Sequence, residues 1–210
     1  MLGRAASISC GRCTALATRD GGGLRMSLAC SGQEPAPAQP LDSFPMGPDR
    51  MPFVTLSFGG TNCHCLLDTG SFITTINDRL RTALGEPAGT VGSNPYYVLP
   101  EASIGLLRIP AGMPVSCRDL HDFETALGMP VDGIVGMNVL SLVDVSLSYD
   151  DNVVTLDQRG YRSPEGRASA TMFCAPRPHT MITVSNQDVA ALIDTGSDEE
   201  LELHTTIAKR

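Results

Sequence analysis

The sequence predicts a mainly β chain: one β-lobe, a linker and an incomplete second lobe. Three observations predict it. Gly and Pro number 21 and 15 and there is no Trp, a composition that suits short strands and turns better than helices. "PFVTLSF" places Val54, Leu56 and Phe58 on one face of a strand. Residues 179–197 align without a gap to residues 53–71 at an offset of 126, with Ile182 matching Leu56, Val184 matching Phe58 and Ile193 matching Leu67.

A hydrophobic content of 42% against 18% charged residues places the chain among globular proteins. The net charge is −8 and Lys209 is the only lysine. An acidic chain without a basic cluster argues against a nucleic-acid partner. The longest uncharged run, residues 51–67, is broken by Pro52, Gly59, Gly60 and Asn62, so no membrane span is expected.

Four segments follow in order. Residues 1–50 read as a tail, a disordered tether or a targeting segment. Within residues 1–33, Arg4, Arg12, Arg19 and Arg25 stand against the single acid Asp20, and a Pro-rich stretch follows at 31–50. "SLAC" at Ser27–Cys30 faintly resembles a lipoprotein cleavage box. An acidic lobe on such a tether fits an exported or cell-envelope protein. Residues 51–157 read as the lobe, with order beginning near Met51.

Gly59-Gly60 is a hairpin turn, and "TNCHCLL" is the return strand that ends at Asp68. "NDRLRTALGE" reads as a short helix capped by Asn77 and stopped by Gly85. Residues 90–103 form a projecting hairpin carrying Tyr96 and Tyr97. "IGLLRIPAGMPVSC" gives two strands around a Gly turn. After "VDGIVG" come a helical turn at residues 137–142 and strands at 143–149 and 153–156. Residues 158–178 are a linker by composition. Residues 179–210 begin a second lobe, with 16 residues after Asp194 against 89 between Asp68 and Asp157 in the first copy.

The seven Cys make no disulfide framework. Cys63 and Cys65 share one strand face, which leaves them unpaired with each other, and His64 points the other way. No second ligand pair follows, so no metal site is expected.

The chemistry sits in "CLLDTGSFITTI" and "ALIDTGSDEELEL". A carboxylate at the end of a buried strand is costly unless it is held. Two held close together cannot both ionise, so they share a proton and titrate as one unit. The ionised member can then activate water as a base while the protonated member acts as an acid. Gly70 and Gly196 allow the tight turn. The hydroxyls of Thr69 and Thr195 can bond across to the facing loop, and those of Ser71 and Ser197 can bond the carboxylates.

"LLDTGS", "DGIVG" 66 residues after Asp68, and the second "LIDTGS" together resemble the signatures of retropepsin-like aspartic proteases. The tail of the second motif resembles the bacterial branch. The resemblance implies a β-lobe with catalytic Asp68 and Asp194 and supporting Thr69, Gly70, Ser71, Thr195, Gly196 and Ser197. It also implies Ile134-Val135-Gly136 threaded beside the loop and a flap that places Tyr96 and Tyr97 over a polypeptide substrate. No cofactor is implied. Plainer readings stand beside it: Asp68 as a turn or cap residue, Tyr96 and Tyr97 as ordinary strand aromatics, and the whole chain as a catalytically inactive module for peptide binding or dimerisation.

The second copy stops before any flap or "IVG" element. Counting carboxylates, the chain is expected to be a homodimer through the first lobe or else inactive. The second carboxylate is expected from Asp194 or from Asp68 of another copy, and in a longer chain Asp68 and Asp194 would face each other within one molecule. The apolar face of the second copy, Ile182, Val184, Leu192 and Ile193, is expected to be poorly buried.

Overall fold

The computed structural model describes residues 40–157 and 177–197, with side chains from residue 41. It also describes the backbone of the strands at 6–10, 13–20, 23–29 and 170–174. The protein is mainly β, and its strands form two nine-stranded sheets.

The first sheet carries the lobe. Its order is Leu107–Ile109, Ala102–Ile104, Phe53–Phe58, Thr61–Leu67, Gly133–Val135, Thr75–Asn77, Pro114–Arg118, Asn94–Val98 and Gly89–Val91. The hairpin of Phe53–Phe58 and Thr61–Leu67 turns at Gly59 and Gly60, both at positive φ, as the double glycine predicts. Gly133–Val135 lies parallel to Thr61–Leu67 and antiparallel to Thr75–Asn77. That central placement explains why all three of its residues are buried.

Alternation divides the side chains between two cores. Leu56, Phe58, Cys63, Cys65, Leu67, Ile76 and Val135 enter the main one. Met51, Phe53, Leu66, Leu120, Val131 and Ile134 form a smaller one on the other side of the sheet. Cys63 and Cys65 are buried free thiols, and burial pushes Cys63 up to about 12. His64 projects from the opposite face and stacks on Phe53, with ring centroids 4.4 Å apart. The "CHC" triplet therefore does not converge on one point.

Asn77 caps Asp78–Leu80 by accepting from the Arg79 N–H, and Arg81–Leu84 ends at Gly85 with φ 83°. The helical turn after Gly136 runs Met137–Leu140. The helix His121–Leu127 is an addition to the sequence reading. The Asp119 carboxylate accepts from the His121 N–H, and Gly128 closes the helix in the left-handed region. Arg79 holds it by bonding Glu124 at 2.6 Å, and bonds Asp132 at 2.9 Å. No helix among the described residues is long and apolar enough to cross a membrane.

The second sheet takes in strands of the N-terminal segment. Its order is Gln187–Leu192, Pro178–Val184, Ala170–Cys174, Ala6–Cys10, Cys13–Asp20, Gly23–Ala29, Asp144–Ser148, Val153–Asp157 and Pro40–Pro45. Residues 1–50, expected to be a tail or tether, thus contribute four strands. Order does not begin at Met51: Pro40–Pro45 pairs with Val153–Asp157, and Met46 is buried. The physical reason is that strand addition uses main-chain hydrogen bonds, which composition and charge do not report. At the end of the linker, Ala170–Cys174 pairs with Pro178–Val184. Residues 158–169 lie outside the described residues, as does the chain beyond Ser197.

Candidate active site

Asp68 leaves the sheet at the end of Thr61–Leu67. Its N–H donates to the Val135 carbonyl at 3.0 Å, so the threaded strand fixes the start of the loop. The chain then turns tightly. The Ser71 N–H donates to the Asp68 carboxylate at 3.0 Å. The Ser71 hydroxyl, which the sequence suggested could bond that carboxylate, instead donates to the Ile73 carbonyl at 3.1 Å.

Gly136 lies under this loop. A Cβ there would stand 2.7 Å from the Ile73 carbonyl carbon and 2.9 Å from the Ser71 oxygen, so only glycine lets the two segments pass. Met137 donates to the Ser71 carbonyl at 2.9 Å and Asn138 to that of Phe72 at 3.2 Å. The Thr74 hydroxyl accepts from the Gly136 N–H and donates to the Asn138 side-chain oxygen at 2.8 Å. The Asn138 amide group donates onward to the Pro114 carbonyl. Ile134, Val135 and Gly136 are thus brought beside Asp68, Thr69 and Gly70, and Thr74 and Asn138 join them unforeseen.

The second Asp-Thr-Gly loop docks against the first within the same chain. The Thr69 N–H donates to the Thr195 hydroxyl at 3.1 Å, and the Thr195 N–H donates to the Thr69 hydroxyl at 3.1 Å. Each hydroxyl then donates 2.7 Å to a carbonyl of the facing loop, Thr69 to Ile193 and Thr195 to Leu67. Both threonines are buried. Of the two sources expected for a second aspartate, Asp194 or Asp68 of another copy, Asp194 lies beside Asp68 in this chain. All four bonds come from the two loops alone, so a complete second lobe is not needed to make them. The residues Ile182, Val184, Leu192 and Ile193 are each half-buried, and none joins either core.

The glycines let the carboxylates approach. A Cβ on Gly70 would overlap the Asp194 carboxylate, and one on Gly196 would lie 2.7 Å from Asp68 Cγ. The Gly196 N–H donates to the Asp194 carboxylate at 2.9 Å. Asp68 is half-buried while Asp194 and Ser197 are exposed. Burial first, then the charge of Asp194 and the hydrogen bond shared with it, push Asp68 up to about 6. The N–H groups of Ser71 and Gly70 oppose this. A carboxyl held so can stay protonated in mild acid beside an ionised neighbour. Among the described residues no group of three or more His, Cys, Asp or Glu is placed to hold a metal.

The projecting hairpin is formed by Gly89–Val91 and Asn94–Val98, with Gly92 at positive φ and Val91 at the tip 72% exposed. Tyr97 is corrected as a flap contact: it is 3% exposed and belongs to the main core. Tyr96 lies half-exposed over Gly89, where a Cβ would come 2.7 Å from its ring. Adjacent strand residues face opposite sides, so at most one of the pair could serve a cleft. Sequence reasoning also missed Arg177, which donates to the Gly70 carbonyl at 3.1 Å.

No family model matches the chain, and no curated protein matches it. Among solved structures it is similar to a retropepsin-like aspartic protease from Rickettsia conorii. That match has 13% identity and a TM-score of 0.43, over 61% of this chain and 97% of that one. It is also similar to the retroviral protease-like domain of Ddi1 from Leishmania major, with 13% identity and a TM-score of 0.34, over 55% of this chain and 97% of that one. At this identity and these TM-scores the likeness carries no argument about chemistry, which must be read from the Asp68 and Asp194 loops themselves.

Proposed function

We propose that the chain is an aspartic-type endopeptidase, retropepsin-like, whose paired carboxyls are Asp68 and Asp194 of one molecule. The observation that carries this is the double hydrogen-bond lock between Thr69 and Thr195, which sets the two carboxyls side by side. Asp68, half-buried and raised, serves as the acid, and Asp194, exposed beside it, serves as the base. A water between them loses a proton to Asp194 as it attacks the peptide carbonyl, and Asp68 donates to the carbonyl oxygen. Collapse of the tetrahedral intermediate then breaks the C–N bond as the pair returns a proton to the leaving amine. The two carboxyls supply base and acid themselves, so the reaction asks for no metal or organic cofactor.

A second reading is a catalytically inactive peptide-binding module, and the half-buried second arm favours it. A quenched-fluorescence peptide library assayed between pH 3 and 8 separates the two. The proposal expects turnover by the parent chain, resistance to chelators, and losses of orders of magnitude for Asp68→Asn and for Asp194→Asn. Binding of peptides without turnover at any pH favours the inactive module and overturns the peptidase.

A further inference from the structure

We propose that Arg177 is a positioning residue for the aspartate pair, docking the second Asp-Thr-Gly arm onto the first loop by a charged hydrogen bond. The inference rests on the reading of Asp68 and Asp194 as a pair. Nη1 of Arg177 donates to the carbonyl of Gly70 at 3.1 Å. Gly70 is the residue whose Cα faces the Asp194 carboxylate so closely that a Cβ would overlap it. The guanidinium therefore grips the first loop at the point where the second carboxylate arrives.

The contact closes a circuit. Arg177 is followed by Pro178, whose carbonyl accepts from the Ile193 N–H at 2.8 Å. The Ile193 carbonyl accepts from the Thr69 hydroxyl at 2.7 Å. Thr69 leads directly into Gly70, whose carbonyl returns to Arg177. Both ends of the arm, the strand entry at Pro178–Val184 and the loop at Ile193, are thereby tied to one turn of the first lobe. Ile182, Val184, Leu192 and Ile193 of the arm are only half-buried and join neither core.

The internal repeat shows why a charged group stands there. The two copies share their backbone bonds: Leu67 donates to the Pro52 carbonyl at 2.8 Å, as Ile193 does to that of Pro178. The position matching Arg177 at the offset of 126 is Met51. Met51 is 7% exposed and packs with Phe53, Leu66, Leu120, Val131 and Ile134. The first copy is thus anchored by an apolar cluster. Among the described residues the arm has no such cluster, and the guanidinium substitutes a charge-assisted bond for it.

The test compares Arg177→Gln and Arg177→Lys in the full chain, with steady-state kinetics and amide hydrogen exchange run together. The inference expects Arg177→Gln to lower kcat by roughly tenfold or more with KM nearly unchanged, because the pair loses alignment while the cleft is kept. Exchange at the Thr69, Ile193 and Thr195 amides should speed by a similar factor, with the Leu67 and Val135 amides unaffected. Arg177→Lys, which keeps a charged donor, should recover most of both. A KM increase at constant kcat would make Arg177 a substrate contact and overturn the inference. So would parent-like exchange at Thr69, Ile193 and Thr195 in Arg177→Gln. The exchange arm reads the docking even in a chain without turnover, so failure of the peptidase reading and failure of this one are distinguishable.

Discussion

Thr69 and Thr195 each use the backbone N–H to bond the other's hydroxyl, 126 residues away, and each hydroxyl bonds on to a carbonyl of the facing loop. The lock makes the two loops one unit and brings Asp68 and Asp194 together without a second molecule.

Removing one hydroxyl breaks two bonds and leaves a buried N–H unsatisfied. Thr69→Ala or Thr195→Ala should cost about 1–3 kcal/mol of stability and lower turnover, while Thr→Ser at either site should keep most of both. Urea unfolding alongside peptide cleavage checks this. Alanine variants with parent stability would show that the lock does not hold the loops.

Asp68 predicts a pH-dependent stability. Burial, with the charge of Asp194 beside it, pushes the Asp68 carboxyl up to about 6 from its ordinary 3.8. The folded state therefore binds more protons between the two values, and this group's contribution falls as pH rises through that window. Asp68→Asn should stabilise the protein above about pH 6, by roughly 1–2 kcal/mol once partial solvent exposure is allowed for. The gain should vanish below about pH 4. Thermal melts of both chains from pH 3 to pH 8 decide it; a destabilised Asp68→Asn at pH 7 would contradict the burial argument.

The same group sets the alkaline limb of catalysis. Turnover should fall as pH rises through about 6, as the proton held by Asp68 is lost. A kcat/KM profile still rising at pH 8 would assign the acid to another group.

Gly70 tests the close approach. A methyl group there would overlap the Asp194 carboxylate. Gly70→Ala should therefore separate the pair and cost on the order of a hundredfold or more in kcat, while the first lobe stays folded. Circular dichroism with kinetics distinguishes this from general unfolding.

Much of the lobe was legible in sequence because its signals are local. Gly59-Gly60 announced the hairpin, the alternation through Leu67 delivered Asp68, and Asn77 and Gly85 bracketed a helix. The helix His121–Leu127 was not legible. It is under two turns long, and only Phe123 and Leu127 pack inward, too few to show a period. The facing of the two aspartate loops followed from the repeat, but its occurrence within one chain did not. Counting missing strands says nothing of the four hydrogen bonds that the two loops make with each other. Thr74 and Asn138 are 64 residues apart and meet only through the threaded strand. Arg177 looked like one of several linker arginines, and its partner Gly70 is 107 residues away. Tyr96 and Tyr97 were read as a unit, although neighbours in a strand cannot share a face.

The central claim is that one chain supplies both aspartates. The most direct measurement is the specific activity of the parent and of Asp194→Asn across a hundredfold range of protein concentration. The account predicts constant turnover per chain for the parent and none for Asp194→Asn at any concentration. Turnover by Asp194→Asn that rises with concentration would contradict it, because Asp68 would then be pairing with Asp68 of a second copy.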